Sequence, residues 1–299
     1  MKIVDASLAV AVAVIWGGGF LFAKLAINHF PPILLMAFRF GLTALALVWF
    51  VPRPKYKTLR KIFLIALVSA AVQYSLTFTG LKGLDASTAI IIVQLEVPFG
   101  VLCAVIFLKD RLELKHVLGI GLAFAGVTLI AGEPTLQNNL VSVALVAAGA
   151  ATWAVGQVMV KTLDRTGGFT LIAWVAVFAT PQLVISSMLF EKDQLAAIQD
   201  AGTLVWSAVA YLALIMTALG YGIWYHLLGK YRVNQVMPFL LLLPVVTVMG
   251  GVALLGENLT LRIMVGGAMA IIGVAIINLF RTGPSPASPA ACAGTGEKR

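Results

Sequence analysis

Residues 15–24 read IWGGGFLFAK, and residues 152–161 read TWAVGQVMVK. Each stretch holds a tryptophan and, after seven further residues, a lysine inside an apolar segment. A hydrophobic unit that occurs twice in one chain is typical of transporters, whose folds are often built from internal repeats. The repeat therefore disfavours an enzyme or a receptor. The matched residues are Trp16 with Trp153 and Lys24 with Lys161.

The repeat continues in the later part of each copy. Pro98 and Pro244 each precede a short polar turn and then another apolar segment. Glycines occupy matched places in those two segments, which extends the internal similarity over most of the chain. The matched glycines are Gly119 with Gly266 and Gly126 with Gly273.

Composition indicates where such a chain resides. The 299 residues are 61% hydrophobic and 11% charged, and the mean hydropathy is +1.00. Soluble domains carry about 25% charged residues, and lipid can accommodate apolar surface that a water-soluble core of this size cannot. The net charge of +9 is spread in short clusters between apolar runs, as membrane-topology signals are. The composition predicts a polytopic membrane protein with lipid around it and no nucleic-acid partner.

Ten apolar stretches are long enough to cross a hydrocarbon core of about 30 Å as helices. Helices are predicted because lipid does not tolerate unpaired backbone groups. The connections are short and hold no soluble domain, so the fold class is an all-α membrane protein. The predicted spans, numbered 1 to 10, cover residues 6–28, 32–51, 60–80, 85–107, 114–131, 140–161, 169–190, 204–226, 233–255 and 262–281.

Lysine and arginine residues are distributed unequally between the two sides of this bundle. With the N-terminus inside, sixteen of them lie on the inner side and four on the outer side. The positive-inside rule therefore places both termini in the cytoplasm, as an even number of spans requires. The four outer residues are Lys24, Lys82, Lys192 and Arg262.

The two halves are predicted to have opposite orientations. Each half, 1–136 and 137–281, holds five spans, and this odd number makes the second half enter the membrane from the opposite side. Inverted repeats of this kind are related by a pseudo-two-fold axis in the membrane plane, and one half can adopt the conformation of the other. We therefore expect the two inverted repeats to provide alternating access to a substrate site near the membrane midplane. The Pro-, Ala- and Gly-rich residues 282–299 are predicted to form a disordered cytoplasmic tail.

Four further stretches carry a resemblance to a known family. Residues 109–127 read KDRLELKHVLGIGLAFAGV, and residues 256–274 read GENLTLRIMVGGAMAIIGV. With the ten spans and the Trp–Lys pairs, they resemble the EamA family of the drug/metabolite transporter superfamily. Residues 220–231, GYGIWYHLLGKY, and 241–246, LLLPVV, are similar to bacterial exporters of amino acids and related metabolites, including the cysteine/O-acetylserine and aromatic amino-acid exporters.

The resemblance covers residues 6–281 and implies spans 1–4 and 6–9 around a central cavity, with spans 5 and 10 at the periphery. It implies export of amino acids, apolar, aromatic or sulfur-containing, and of related metabolites from a bacterial inner (plasma) membrane. The alternative within the superfamily is a broad-specificity exporter of drugs and metabolites. The family's Gly-Glu-Arg turn is replaced by Lys109-Asp110-Arg111 in the first half and by Gly256-Glu257-Asn258 in the second.

Glu96 is a carboxylate in the middle of predicted span 4. A charge at this depth costs about 2.5–3.5 kcal/mol on insertion scales, so we expect the side chain to face the protein interior. Pro98, two residues later, cannot donate a backbone hydrogen bond, and Pro244 is its counterpart, so both predict helix breaks. Two roles stay open for Glu96. One is a structural ion pair with Arg39, and the other is contact with a substrate ammonium group or a coupled proton.

Several aromatic side chains and amides lie at similar predicted depths. The deep tryptophans and tyrosines need partners for their N–H and O–H groups, and they either fill the core or line a cavity for apolar or aromatic side chains. Trp224 and Tyr225 lie nearer a helix end and are predicted to be interfacial belt residues. Amides singly bond a neighbouring helix, but together with Glu96 they favour a polar cavity. The candidate cavity set is Trp16, Phe20, Tyr74, Phe78, Gln94, Glu96, Trp153, Gln157 and Tyr221.

Lys24 lies near the outer end of span 1 and Lys161 near the inner end of span 6, as inversion requires. Each either pairs with a carboxylate as a gate or extends its ammonium group to the interface. Glycines 17–19 either let a neighbouring helix approach closely or let span 1 bend. The glycines of spans 5 and 10 leave two interpretations open, a homodimer contact or packing within one chain.

Other classes of function are disfavoured by what the sequence holds. There is no metalloprotease or serine-hydrolase motif, and all three histidines lie near predicted helix ends, so we predict that the chain is not an enzyme. Cys103 and Cys292 have no CxxC partner and no ligand-spaced histidine nearby, so neither a metal, a disulfide nor a cofactor is predicted.

Overall fold

The computed structural model describes residues 2–108, 112–163, 166–231 and 233–279, and every regular element in this part of the chain is helical. Ten of the described helices are long and apolar enough to cross a membrane, which confirms the predicted fold class. The predicted tail and the turn at 109–111 lie outside the described residues. Spans 1 to 10 cover Ile3–Ile27, Pro32–Phe50, Tyr56–Lys82, Ala86–Phe107, Leu114–Ala131, Leu140–Lys161, Gly168–Phe190, Thr203–Lys230, Met237–Leu255 and Leu261–Asn278.

We call the side that holds the end of span 1 at Ile27 the outer side, following the orientation predicted from lysine and arginine. Spans 3 and 8, with 27 and 28 residues, reach farther toward the inner side than predicted. Their inner ends are rich in tyrosine, lysine and arginine, which a hydropathy argument does not count as membrane segments. The helices continue there because charged side chains at a helix end extend into the interface while the backbone stays paired.

The third span of each half contains a π-helical segment, in which backbone hydrogen bonds run over five residues rather than four. The segments are Leu67–Val72 in span 3 and Tyr211–Leu219 in span 8. In span 8, Thr217 Oγ1 donates a further hydrogen bond to the carbonyl of Leu212 at 2.8 Å. Such segments are rare and occur frequently at functional sites. They occupy corresponding places in the two halves.

Span 4 is interrupted at residues 94–95, just before Pro98. Pro98 has no N–H for the carbonyl of residue 94, and the N–H of Val97 donates to that carbonyl instead, at 3.2 Å. The carbonyl that the proline frees is therefore satisfied by a tighter turn. The two helical parts of span 4 are Ala86–Val93 and Glu96–Leu108.

Span 9 shows a related change of helix type before its proline. A 3-10 helix, Met237–Leu241, precedes the α-helical part that contains the buried Pro244. This part of span 9 packs directly against span 1. A Cβ atom on Gly17 would lie 2.9 Å from the Leu243 carbonyl oxygen, and Thr247 Oγ1 donates to the Gly17 carbonyl at 2.9 Å. Gly17 therefore permits a close approach of two helices.

Spans 5 and 10 cross at two pairs of glycines. A Cβ atom on Gly119 would lie 2.7 Å from the Gly273 carbonyl oxygen, and one on Gly266 would lie 2.6 Å from the Gly126 carbonyl oxygen. The pairs are reciprocal, because Gly119 and Gly126 are the sequence counterparts of Gly266 and Gly273. These glycines serve packing within one chain. Gly267 also faces its own chain, at Ile91 of span 4.

A bulky side chain at this crossing is expected to destabilise the protein. For Gly126→Val we expect a loss of about 1–3 kcal/mol, because overpacking forces backbone shifts and a Cβ atom would already lie 2.8 Å from the Ala270 backbone nitrogen. The measurement is thermal unfolding in detergent. Gly121→Val on the same helix is the control, because no atom lies within 4 Å of its Cβ position. Equal unfolding temperatures for the two variants would contradict the prediction.

The outer parts of spans 2 and 4 are buried more completely than their inner parts. All eight residues of Ala86–Val93, the outer part of span 4, are buried. In the inner part, residues 96–107 keep intermediate or high exposure, with the exception of Pro98. Span 2 shows the same difference, since residues 32–37 are buried whereas Trp49 and Phe50 at its inner end are 79% and 84% exposed.

Candidate functional site

A first aromatic group joins span 1 to the inner part of span 8. The ring centre of Trp16 lies 4.8 Å from that of Tyr221 and 5.6 Å from that of Trp224. Tyr221 in turn stacks on Tyr225 at 6.1 Å. The belt prediction is wrong for Trp224, which is buried at 7% exposure. Trp224 lies near the inner end of span 8, and this position in the sequence does not show that its ring faces span 1.

Trp16 is held by the π-helical segment of span 8. Its indole Nε1 donates to the carbonyl of Met216 at 3.0 Å. The ring fits there because residue 220 is a glycine: a Cβ atom at this position would lie 2.5 Å from the indole nitrogen. The sequence predicted that the N–H of Trp16 needs a partner, and that partner is a backbone carbonyl in a helix of unusual geometry.

A second aromatic group joins spans 1, 2 and 3. Tyr74 lies 5.1 Å from Phe40 and 5.6 Å from Phe78, measured between ring centres, and Phe78 stacks on Phe20 at 6.0 Å. Phe20 and Phe78 are buried, whereas Tyr74 keeps intermediate exposure. Three of the predicted cavity residues therefore contact one another directly.

Two features bring the groups together. Trp16 of the first group and Phe20 of the second lie about one turn apart on span 1. Arg39 of span 2 lies over the Tyr74 ring and donates to Thr217 of span 8. The two aromatic groups therefore meet around span 1 and Arg39.

Arg39 is one of the most deeply buried side chains, at 1% exposure. Its Nε donates to Thr217 Oγ1 at 3.1 Å, and its guanidinium carbon lies 4.8 Å from the centre of the Tyr74 ring. The predicted ion pair with Glu96 is not formed in this conformation. Glu96 keeps intermediate exposure and has no hydrogen bond to any described residue. The ion pairs within the described ranges are Lys115–Glu113 and Lys230–Asp5.

Other predicted cavity residues stand apart from these groups. Trp153 and Gln157 on span 6 keep intermediate exposure, and neither has a ring contact or hydrogen bond among the residues described. Gln94 also keeps intermediate exposure, at the interruption of span 4. Gln73 is buried and donates to Thr77 Oγ1 at 3.2 Å, while its own Oε1 is enclosed without a partner.

Lys24 joins span 1 to the outer end of span 3. Its Nζ donates to three carbonyls at the outer end of span 3, at distances of 2.5–3.3 Å. An ammonium group is stabilising there because a helix C-terminus carries partial negative charge. Lys24 therefore caps a neighbouring helix and does not extend to solvent. The three carbonyls belong to Leu81, Lys82 and Leu84.

Two glutamates of the second half bind the outer ends of first-half spans. Glu257 accepts hydrogen bonds from the backbone N–H groups of Ala86 at 2.6 Å and Ser87 at 3.0 Å, and from the Ser87 hydroxyl. Glu191 accepts from the N–H groups of Ile33 at 2.7 Å and Leu34 at 3.0 Å. Each carboxylate thus caps the N-terminus of a first-half span, where charge-assisted hydrogen bonds and the helix dipole favour a negative charge.

Asp85 completes this outer group of charges. Burial and the nearby Glu257 carboxylate raise the pKa of Asp85 above its ordinary value, and Lys24 acts in the opposite direction. A surface cavity of about 420 Å³ lies beside Lys24 and Asp85. It lies outside the aromatic groups, so it is not the site described above.

On the inner side, a described contact joins span 1 to the end of span 8. Asp5 of span 1 accepts hydrogen bonds from Lys230 Nζ at 2.8 Å and from the Tyr231 hydroxyl at 2.6 Å. Lys161, the counterpart of Lys24, is exposed and has no hydrogen bond or ion pair within the described residues. Of two lysines at equivalent places in the repeat, Lys24 is therefore hydrogen-bonded to a neighbouring helix, whereas Lys161 has no such contact within the described residues.

Sequence reasoning missed several residues of these contacts. Nothing in one sequence shows that Glu191 or Glu257 faces the start of another span, although both follow the end of an apolar run. Thr217 and Asp5 also gave no signal, because an isolated hydroxyl or carboxyl near a span has many uses. The described residues hold no group of three or more His, Cys, Asp or Glu side chains that could hold a metal ion.

Comparison with known proteins gives consistent matches over nearly the whole chain. The EamA-like transporter family matches residues 5–132 and 140–279. A probable amino-acid metabolite efflux pump of Salmonella typhimurium is 33% identical, over 92% of this chain and 95% of the relative. Its namesake in Escherichia coli is 30% identical over the same shares.

More distant matches agree with these. A probable terminal-alkyne amino-acid exporter of Streptantibioticus cattleyicolor is 26% identical, over 76% of each chain. A crystal structure that is 19% identical in sequence superposes with a TM-score of 0.63, over 93% of this chain and 97% of the other. That last likeness concerns the fold alone.

Proposed function

Because this chain belongs to the EamA-like transporter family, we propose that it exports amino acids and related metabolites by alternating access. It is a multi-pass membrane transporter and not an enzyme, as the family and the named relatives show. The observation that carries the proposal is the pair of aromatic groups that meet around span 1 and Arg39. Beside them, the outer parts of spans 2 and 4 are buried and the inner parts are more exposed.

The chemistry of this centre suits a small amino acid with an apolar or aromatic side chain. Rings such as Trp16, Tyr74 and Tyr221 offer apolar faces with polar edges. Arg39 and Glu96 add a cation and a carboxyl group that are not paired with each other. An amino acid carries the two complementary charges. The relatives that are named amino-acid efflux pumps and an amino-acid exporter support the same substrate class.

Alternating access is supported by the symmetry of the contacts. The reciprocal glycine pairs of spans 5 and 10 and the π-helical segments of spans 3 and 8 are what two inverted repeats, 1–136 and 137–281, are expected to form. Lys24 binds three carbonyls, whereas Lys161 has no partner among the described residues, and this difference is expected of a conformation that is closed on the outer side. In a conformation that is closed on the inner side, Lys161 would be hydrogen-bonded to a neighbouring helix and Lys24 would be released. We place both termini in the cytoplasm of a bacterial inner membrane.

The proposal is tested by uptake into proteoliposomes. Radiolabelled amino acids of aromatic, sulfur-containing, hydroxylated and charged types are compared with and without a pH gradient, and empty liposomes serve as the control. Selective uptake or counterflow of apolar or aromatic members supports the proposal. Absence of any amino-acid uptake by folded protein, with uptake of bulky cations that lack an amino group, would favour the broad-specificity drug exporter.

Removal of the Lys24 ammonium group is expected to open the outer side. In a chain with Cys103→Ser and Cys292→Ser, the probe is Leu84→Cys, because Leu84 is 2% exposed beside Lys24. We expect Lys24→Met to raise its labelling rate by a membrane-impermeant maleimide by at least about tenfold, since hydrogen bonds to a charged group contribute about 1.5–3 kcal/mol. Lys192→Met, at an exposed outer-loop lysine, is the matched control. Unchanged labelling would show that Lys24 does not hold the outer side closed.

Glu96 is the group that we expect to carry a coupled proton. In Glu96→Gln the amide cannot ionise, so accumulation driven by a pH gradient should fall to the rate measured without a gradient. Exchange of labelled for unlabelled substrate should continue, because it moves no net proton. Glu113→Gln, at an exposed carboxylate outside the spans, is the control. Gradient-driven accumulation that persists in Glu96→Gln would exclude this role.

A further inference from the structure

We propose that Arg39 binds the carboxylate of the transported compound, an inference that deepens the export function proposed above and rests on it. The starting point is the hydrogen-bonding capacity of the guanidinium group. It carries five N–H donors and no acceptor. Nε donates to Thr217 Oγ1 at 3.1 Å, and Nη1 points at the Met36 sulfur at 3.9 Å. Nη2 has no hydrogen bond to any described residue.

The charge of Arg39 also lacks a counter-ion. No described carboxylate lies within 4.0 Å, since the ion pairs in this part of the chain are those of Glu113 and Asp5. The rings of Tyr74 and Phe40, at 4.8 and 5.5 Å, supply cation–π contacts, which are weaker than an ion pair. A cation that is 1% exposed inside a membrane protein is costly unless it is paired. An anion that arrives from outside the chain would satisfy it.

The unbonded nitrogen is positioned to receive such an anion. The side-chain atoms that are fully enclosed without a partner belong to Gln73, Ser75 and Gln182, and no Arg39 atom is among them. Nη2 is therefore not fully enclosed, and the guanidinium carbon to which it is attached lies 4.8 Å from the centre of the Tyr74 ring. A planar guanidinium group binds a carboxylate through two parallel N–H···O bonds, and Nη1 and Nη2 provide the required fork.

Span 8 fixes the direction of this fork. Thr217 accepts the Nε hydrogen bond from within the π-helical segment, while its own hydroxyl donates to Leu212 O. The backbone of Arg39 is tied to the same segment, because Thr43 Oγ1 donates to both the Arg39 carbonyl at 2.8 Å and the Ala213 carbonyl at 3.2 Å. Rigid support of this kind is expected of a binding group.

The second charge completes the recognition of a zwitterion. Glu96 lies directly after the interruption of span 4, has no hydrogen bond to any described residue and does not pair with Arg39. A carboxylate on Arg39 and an ammonium group toward Glu96 would leave the rest of the molecule against the aromatic rings. The ligand class is therefore an apolar or aromatic compound with a free carboxylate.

The experiment compares four probes that share a phenyl ring. L-Phenylalanine has both charges, L-phenylalaninamide and 2-phenylethylamine lack the carboxylate, and 3-phenylpropanoate lacks the ammonium group. Their dissociation constants are measured on the purified full chain in detergent. We expect wild type to bind L-phenylalanine at least about tenfold more tightly than L-phenylalaninamide or 2-phenylethylamine, and to bind 3-phenylpropanoate as well. Arg39→Gln should remove this preference, whereas Arg60→Gln, at an exposed arginine of span 3, should retain it.

The other outcomes are distinguishable. Absence of a carboxylate preference in wild type, or binding of none of the probes, would overturn the proposal. Arg39→Gln that weakens all four probes by one factor would also overturn it, because that is the result of a purely structural role. If Arg39→Gln does not fold, Arg39→Lys replaces it and should keep part of the preference. Failure of the proposed amino-acid export appears separately, as 3-phenylpropanoate bound as tightly as L-phenylalanine and no amino-acid uptake.

Discussion

Replacement of Trp16 by alanine is expected to reduce amino-acid transport per folded molecule by at least about tenfold. The indole contacts Tyr221 and Trp224 and donates to the Met216 carbonyl at 3.0 Å. Each aromatic contact contributes about 0.5–1.5 kcal/mol beyond its buried area, and the hydrogen bond contributes about 0.5–1.5 kcal/mol. Alanine also leaves a cavity beside the π-helical segment. The measurement is uptake into proteoliposomes, normalised to correctly folded protein.

A second variant separates the ring from its hydrogen bond. Trp16→Phe keeps an aromatic ring and loses the donor to Met216, so we expect an intermediate transport rate. Trp49→Ala is the matched control, because Trp49 is 79% exposed at the inner end of span 2. If Trp16→Ala and Trp49→Ala transported equally well, the first aromatic group would not be part of the transport site.

Glu257→Gln is expected to have the second large effect, on both stability and transport. Its carboxylate accepts from two backbone N–H groups and from the Ser87 hydroxyl at the start of span 4. The amide has one acceptor oxygen, and its NH₂ group would face donors. Hydrogen bonds to a charged group contribute about 1.5–3 kcal/mol, so the closed outer side should lose about that much relative to an open one. Transport should fall because one of the two end states is less populated.

The effect of Glu257→Gln is measured as the melting temperature in detergent and as the labelling rate of Leu84→Cys. We expect a lower melting temperature and faster labelling. Glu113→Gln is the control, since the Glu113 side chain is 51% exposed and pairs with Lys115 outside this region. Slower labelling in Glu257→Gln would mean that this glutamate opposes closure.

The sequence was sufficient for the fold because the fold depends on hydropathy and repetition. Ten apolar runs predict ten spans, and the Trp–Lys spacing predicts a duplicated unit before any contact is known. The ends of spans 3 and 8 were missed, since interfacial tyrosines and lysines interrupt the apolar pattern. The π-helical segments gave no signal, because their residues, such as those of Leu67–Val72, are ordinary helix formers.

The site was only partly predictable. The depth of a residue in the membrane can be estimated by counting residues from the end of its span. This estimate placed Trp16, Tyr74 and Tyr221 together in the candidate cavity set. Rotation about the helix axis could not be inferred from the weak amphipathic pattern of these spans, so Trp224 was placed in a belt although it faces span 1. Trp153 shares the depth of Trp16 but none of its ring contacts among the described residues. The roles of Lys24 and Glu257 required knowledge of which helix ends they face.

The crossing of spans 5 and 10 restricts how the molecule can move. Its two backbone contacts are seven residues apart on each helix, a separation of about 10.5 Å along the axis. Two separated backbone contacts resist sliding and tilting of one helix against the other more than a single contact would. We therefore expect spans 5 and 10 to move together as one unit. The relative motion that exposes the centre alternately to the two sides is then expected among the other eight spans.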